Sequence, residues 1–126
     1  MLCFIDGFDL RNDLLFCPTE RNALNEFYIS AKGSEWTVSI NWMDPRIGHC
    51  DWYGIMCNDE NRTIRLELQN NGLSGTLTPY IAFLSALEDL DLNNNDIKVV
   101  QTSFPFIFVV TIKVCPDSIL FSTCSF

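Results

Sequence analysis

Basic residues are scarce in this chain. Its 126 residues include only eight Lys and Arg against 16 Asp and Glu, a formal charge of −8 at pH 7. That balance argues against nucleic acid, whose affinity comes largely from Lys and Arg neutralising phosphates. It argues equally against an anionic membrane surface. There is a single histidine, His49, and none of the six cysteines stands in a C-x-x-C pair. Zinc sites want clustered Cys and His at short spacing, so no metal and no cofactor is expected. A Gly-rich phosphate loop and a G-x-S-x-G elbow are both missing. Long apolar runs are missing too. The longest, Phe104 to Val114, is interrupted by Pro105 and falls short of the roughly 20 residues a spanning helix needs, so no membrane insertion by this segment is expected. The start Met1-Leu2-Cys3-Phe4-Ile5 runs into Asp6 and Asp9 without a basic flank. It shows no signal peptide, and the expectation is an incomplete or misassigned start.

The cysteines are plentiful: Cys3, Cys17, Cys50, Cys57, Cys115 and Cys124. An even, dense set in a small chain points to an oxidising compartment. Spacing alone leaves their pairing open. Residues 1–17 show no clear period. Over 18–33, Ala23, Leu24, Phe27, Tyr28 and Ala31 fall on one face of a 3.6-residue period. This predicts a helix with Thr19 as N-cap and Gly33 as the left-handed stop. Residues 34–62 are rich in turn formers and hold Trp36, Trp42 and Trp52, which predicts a local aromatic core.

The most informative feature is an internal repeat. A shift of 24 residues superposes Leu66 on Leu90, Leu68 on Leu92, Asn71 on Asn95 and Leu73 on Ile97. The second unit reads Leu87-x-x-Leu90-x-Leu92-x-x-Asn95-x-Ile97, the leucine-rich-repeat template with Ile for the last Leu; the first has Thr63 where the opening leucine belongs. Alternation places Leu66 and Leu68 on one face of a short strand and Arg65, Glu67 and Gln69 on the other. Each unit buries its apolar face only by stacking on its neighbour.

The stretch Ala23-Leu24-x-x-Phe27, Trp36, Asn41-Trp42 and Cys50-Asp51-Trp52-Tyr53-Gly54-Ile55-x-Cys57 resembles the N-terminal cap of plant-type leucine-rich-repeat proteins. Leu73-Ser74-Gly75-Thr76-Leu77 is similar to the following repeat segment, although that family usually carries Pro at position 78 and this chain has Thr78 then Pro79. The resemblance implies an α/β fold: a leucine-rich-repeat solenoid fragment with a helical, disulfide-stapled N-terminal cap and a short parallel sheet. It implies a Cys50–Cys57 disulfide, whose small loop is worth about 2.5 kcal/mol in chain-entropy terms. The expected organisation is a cap over 18–62, two repeats over 63–97 and an irregular apolar tail over 98–126. In the tail, Pro116 falls where a third 24-residue unit wants leucine, so the repeat is expected to end, with one strand near 106–114. Phe104, Phe106, Ile107, Phe108 and Val109 would then serve as an improvised cover.

The family implies a binding scaffold without catalytic residues, extracellular or at the cell surface in its parent protein, receptor-like or secreted, with a protein or peptide ligand. The candidate ligand-binding residues on the concave strand face are Arg65, Glu67, Gln69, Asp89, Asp91 and Asn93, carrying a net charge of −2. Asn61-Arg62-Thr63 is an N-glycosylation sequon. The competing readings are a truncated gene-model fragment of a receptor kinase without its own activity, an enzyme using Glu67, Asp89 and Asp91 as an acid–base cluster, and membrane attachment through the tail.

Overall fold

A computed structural model describes residues 4–5, 8–9, 19–98 and 111–113. Cys3, Cys17, Cys115 and Cys124, whose pairing the sequence leaves open, and the apolar cover expected at 104–109 lie outside the described residues.

Two short strands, β1 (Phe4–Ile5) and β2 (Phe8–Asp9), pair antiparallel. Helix α1 covers Glu20–Ser30, two or three residues shorter at each end than its periodicity predicts. Thr19 caps it as expected, its hydroxyl accepting from the Asn22 N–H at 3.1 Å. The stop differs from expectation. Lys32, not Gly33, takes the left-handed conformation at φ 57°. Gly33 is needed for another reason: a Cβ there would overlap the Tyr28 ring.

The main sheet has four strands in the order β3 (Ile55–Cys57), β4 (Thr63–Glu67), β5 (Asp89–Asp91) and β6 (Thr111–Lys113). Strands β4, β5 and β6 run parallel, with Leu66 beside Leu90 and Leu90 beside Ile112. The expectation of a purely parallel sheet is corrected at one edge. Strand β3 pairs antiparallel with β4, placing Ile55 opposite Leu66 and Met56 opposite Arg65. The reason is local: a five-residue turn after Cys57 is too short for a parallel crossover and suits only a hairpin. The tail also departs from its template. Leu90 and Ile112 are 22 residues apart rather than 24, so the pairing reaches the tail two positions earlier than the frame that collides with Pro116.

The core lies between α1, the aromatic loop and the inner face of the sheet. Leu24, Phe27, Leu66, Leu68, Leu90 and Leu92 have no exposed surface. Each such side chain contributes about 1.5–3 kcal/mol on leaving water. Trp36, Trp42 and Trp52 join this core as expected. Trp36 and Trp42 meet edge to face with centroids 5.0 Å apart. Each indole N–H finds a carbonyl: Trp36 donates to Ala31 at 2.9 Å, Trp42 to Tyr53 at 2.8 Å and Trp52 to Ile47 at 3.2 Å. Arg21 seals the rim, its guanidinium 4.8 Å over the Trp52 ring and donating to the carbonyls of Ile47 and Asp44. Among the described residues, no helix is long and apolar enough to cross a membrane.

Candidate binding face

The strand face is positioned by what lies beneath it. Leu66, Leu68, Leu90 and Leu92 point into the core, so the alternate side chains point outward. Arg65 and Gln69 are exposed; Glu67, Asp89, Asp91 and Asn93 are half-buried. In register, Arg65 neighbours Asp89, and Glu67 neighbours Asp91. The first pair is of opposite charge. The second sets two carboxylates on adjacent strands, a spacing of about 4.8 Å along the sheet. Asp91 is held in place by its own turn, its Oδ1 accepting from the Asn93 N–H at 3.1 Å.

Strand β3 adds a residue that sequence reasoning missed. Met56 is exposed and sits on this face opposite Arg65. The sequence shows no alternation there, since Ile55, Met56 and Cys57 are all apolar, and a three-residue strand inside a turn-rich stretch is too short to register as a period.

Two buried asparagines fix where each strand ends. The Asn71 Oδ1 accepts from the Val38 N–H at 2.7 Å, and its Nδ2 donates to the Val38 carbonyl at 2.8 Å. This couples the cap to the first repeat. Asn95 does the equivalent one unit later, with Oδ1 accepting from the N–H groups of Asn71 and Leu73 and Nδ2 donating to the carbonyls of Leu68, Leu92 and Asn93. These amides satisfy backbone groups that no strand ladder reaches.

At the opposite flank, where the strands begin, Glu20 acts as a clamp. Its carboxylate accepts from the Thr63 N–H at 2.8 Å and lies 3.3 Å from both Arg62 Nε and His49 Nε2. Cys50 and Cys57 form a disulfide with Cα atoms 5.6 Å apart. The sulfurs that lie beside His49 are therefore joined to each other, and the imidazole faces Glu20 rather than a thiol nucleophile. Close by, the Arg46 side chain and then its backbone N–H donate to Asp44, holding that carboxyl below its ordinary range.

Residues 17–58 match the leucine rich repeat N-terminal domain family. A 74-residue stretch, 59% of the chain, is 35% identical to an Arabidopsis thaliana protein named as a probable inactive leucine-rich repeat receptor-like protein kinase, and covers 11% of it. Phytosulfokine receptor 1 of the same plant is 34% identical over 102 residues, which is 78% of this chain and 10% of the receptor. Leucine-rich repeat protein 1, again from Arabidopsis thaliana, is 36% identical over 55 residues, 44% of this chain and 25% of that protein. The chain thus spans a quarter or less of each of these relatives.

Proposed function

We propose that this chain, which carries the N-terminal cap and opening repeats of a plant-type leucine-rich-repeat protein, is a binding module that recognises a protein or peptide on its strand face. The cap over 18–62 and the repeats over 63–97 act together as the start of a solenoid, and residues 98–126 follow as a tail. The observation that carries the reading is the in-register pair β4 and β5. It holds Arg65, Glu67 and Gln69 beside Asp89, Asp91 and Asn93 on a surface backed by fully buried leucines. Such a surface presents fixed, half-desolvated polar groups, which lowers the ordering cost of binding. The excess of carboxylates favours a basic or polar partner.

The kinase and receptor names of the relatives describe proteins of which this chain matches a small part. The matched part is the cap and repeats, so the module is read as non-catalytic. An extracellular setting in the parent protein is supported by the Cys50–Cys57 disulfide, since such bonds persist in oxidising compartments.

The test is a binding screen of the refolded chain against matched basic, neutral and acidic peptides, read by fluorescence anisotropy. Basic peptides are expected to bind. Glu67→Ala and Asp91→Ala are expected to weaken that binding while leaving the circular dichroism spectrum unchanged. Equal affinity of both variants and the parent chain rejects the strand-face assignment.

A further inference from the structure

Thr63 presents an unexplained cost. Its side chain has no exposed surface, and its hydroxyl is buried without a hydrogen-bond partner. An unsatisfied buried hydroxyl is unfavourable, and a valine of the same shape would avoid it. The fold gives the hydroxyl nothing to do. The sequence does: Thr63 is the third residue of the sequon Asn61-Arg62-Thr63.

Asn61 itself is placed for modification. It is exposed in the turn between β3 and β4, with φ 61°. The turn is shaped by its neighbour, since the Asn58 Oδ1 accepts from the N–H groups of Glu60 and Arg62 at 2.9 and 3.1 Å. Thr63 is the opposite case. Glu20, from the first turn of α1, holds the Thr63 N–H, and the Thr63 side chain has no exposed surface in the folded chain. A transferase that must reach both the Asn61 amide and the Thr63 hydroxyl has no access to the folded chain.

We infer that Asn61 carries an N-linked glycan, and that it is attached before the chain folds around Thr63. The inference rests on the secretory setting proposed above. In the transfer, Asn61 Nδ2 forms a bond to the anomeric carbon of a lipid-pyrophosphate-linked oligosaccharide. The bond from that carbon to the pyrophosphate oxygen breaks, the lipid pyrophosphate leaves, and one amide proton passes to base. The glycan projects from the turn that precedes β4, next to Arg62, whose side chain donates to Ser85. It leaves free the strand face and the opposite flank at Asn70 and Asn94.

The test translates the full chain behind an added secretion signal in the presence of endoplasmic-reticulum vesicles, with protease protection to establish entry. One glycosidase-sensitive shift is expected, lost in both Asn61→Gln and Thr63→Val. A protected chain without the shift, or a shift that survives Asn61→Gln, overturns the site without touching the strand-face reading, which is tested on unglycosylated protein. Thr63→Val made in bacteria is expected to be at least as stable as the parent chain; a loss of stability would show a structural use for the hydroxyl and overturn the argument. The order of events is tested with solubilised transferase and lipid-linked donor. A synthetic peptide of residues 56–68 is expected to be modified, and the folded chain is not. Equal rates overturn the order.

Discussion

The side-chain oxygen of Asn95 accepts a hydrogen bond from the backbone N–H of Asn71 at 3.0 Å, across 24 residues of sequence. One asparagine thus satisfies the turn of the unit before its own, and the Asn71 side chain does the same for the cap through Val38. Replacing Asn95 by Ala strips partners from the buried N–H groups of Asn71 and Leu73 and from the Leu68 carbonyl. The expected loss is about 2–4 kcal/mol, since each stranded buried group costs about 1–3 kcal/mol and water recovers part of it. Urea unfolding followed by tryptophan fluorescence measures it; a change below about 0.5 kcal/mol, the range of an ordinary surface substitution, contradicts the assigned role.

The inner and outer faces of the β4–β5 pair should respond unequally. Leu90 is fully buried and Asp91 half-buried on the outer face. Leu90→Ala is expected to lower stability by about 2–5 kcal/mol through lost burial and a cavity. Arg65→Ala, on the exposed face of β4, should stay within about 0.5 kcal/mol. Parallel denaturation curves for the two variants decide this, and similar midpoints would contradict the inward and outward assignment.

Gly54 stands at φ +85°, and a Cβ built on it would lie 2.5 Å from the Glu67 carbonyl oxygen. The Gly54 carbonyl in turn accepts from the Glu67 N–H at 2.7 Å. Gly54→Ala is expected to cost at least about 1–3 kcal/mol in backbone strain and to disturb the β3–β4 register. Amide hydrogen exchange at Glu67 should accelerate; unaltered protection would show that the strand accommodates the methyl group.

Reduction of Cys50–Cys57 should destabilise the cap by about 2.5 kcal/mol. The Trp52 indole, which lies between the two half-cystines in sequence and is 2% exposed, is the natural reporter. Its emission is expected to shift red at lower urea in reductant, and coincident transitions with and without reductant would assign the disulfide no stabilising role.

Asp44 is held below its ordinary pKa by Arg46, through the guanidinium first and the backbone N–H second. A depressed folded-state value means that the carboxylate's contribution to stability is present above the unfolded pKa and fades as pH falls through the folded one. Because the pair is open to solvent, the effect on global stability is expected to be small. Titration of the Asp44 carboxyl carbon by NMR should show a midpoint below that of an unfolded reference, returning toward it in Arg46→Ala. A midpoint that ignores the substitution sinks the assignment.

What the sequence made legible was whatever has a period. The α1 face through Ala23, Leu24 and Phe27, the Thr19 cap and the alignment of Leu66 with Leu90 all follow from local spacing. What was not legible depends on groups brought together from afar. Glu20 serves as a clamp only because residues 43 positions away return to it. Position 33 must be glycine because the Tyr28 ring occupies the space a Cβ would need, while the left-handed turn falls one residue earlier, at Lys32. Strand β3 is defined by its hairpin partner, not by its own three residues. The six outer-face residues were placed together by alternation, and Met56 joined them only through that unseen hairpin. In the tail, a fixed 24-residue frame hid the 22-residue step that seats Ile112 beside Leu90.

The antiparallel edge formed by β3 also gives the molecule a direction of growth. Parallel units related by simple translation can be multiplied by copying one segment of the chain, because each new strand meets a neighbour like the last. β3 runs the other way, is tied to β4 by a short hairpin, and is anchored at Cys57 to the preceding cap turn by the disulfide to Cys50. A unit inserted before β4 would meet a strand of the wrong polarity, while one inserted after β5 would meet a strand it can copy. Lengthening of such an array by duplication is therefore one-sided: the cap is inherited once, and variety accumulates beyond it.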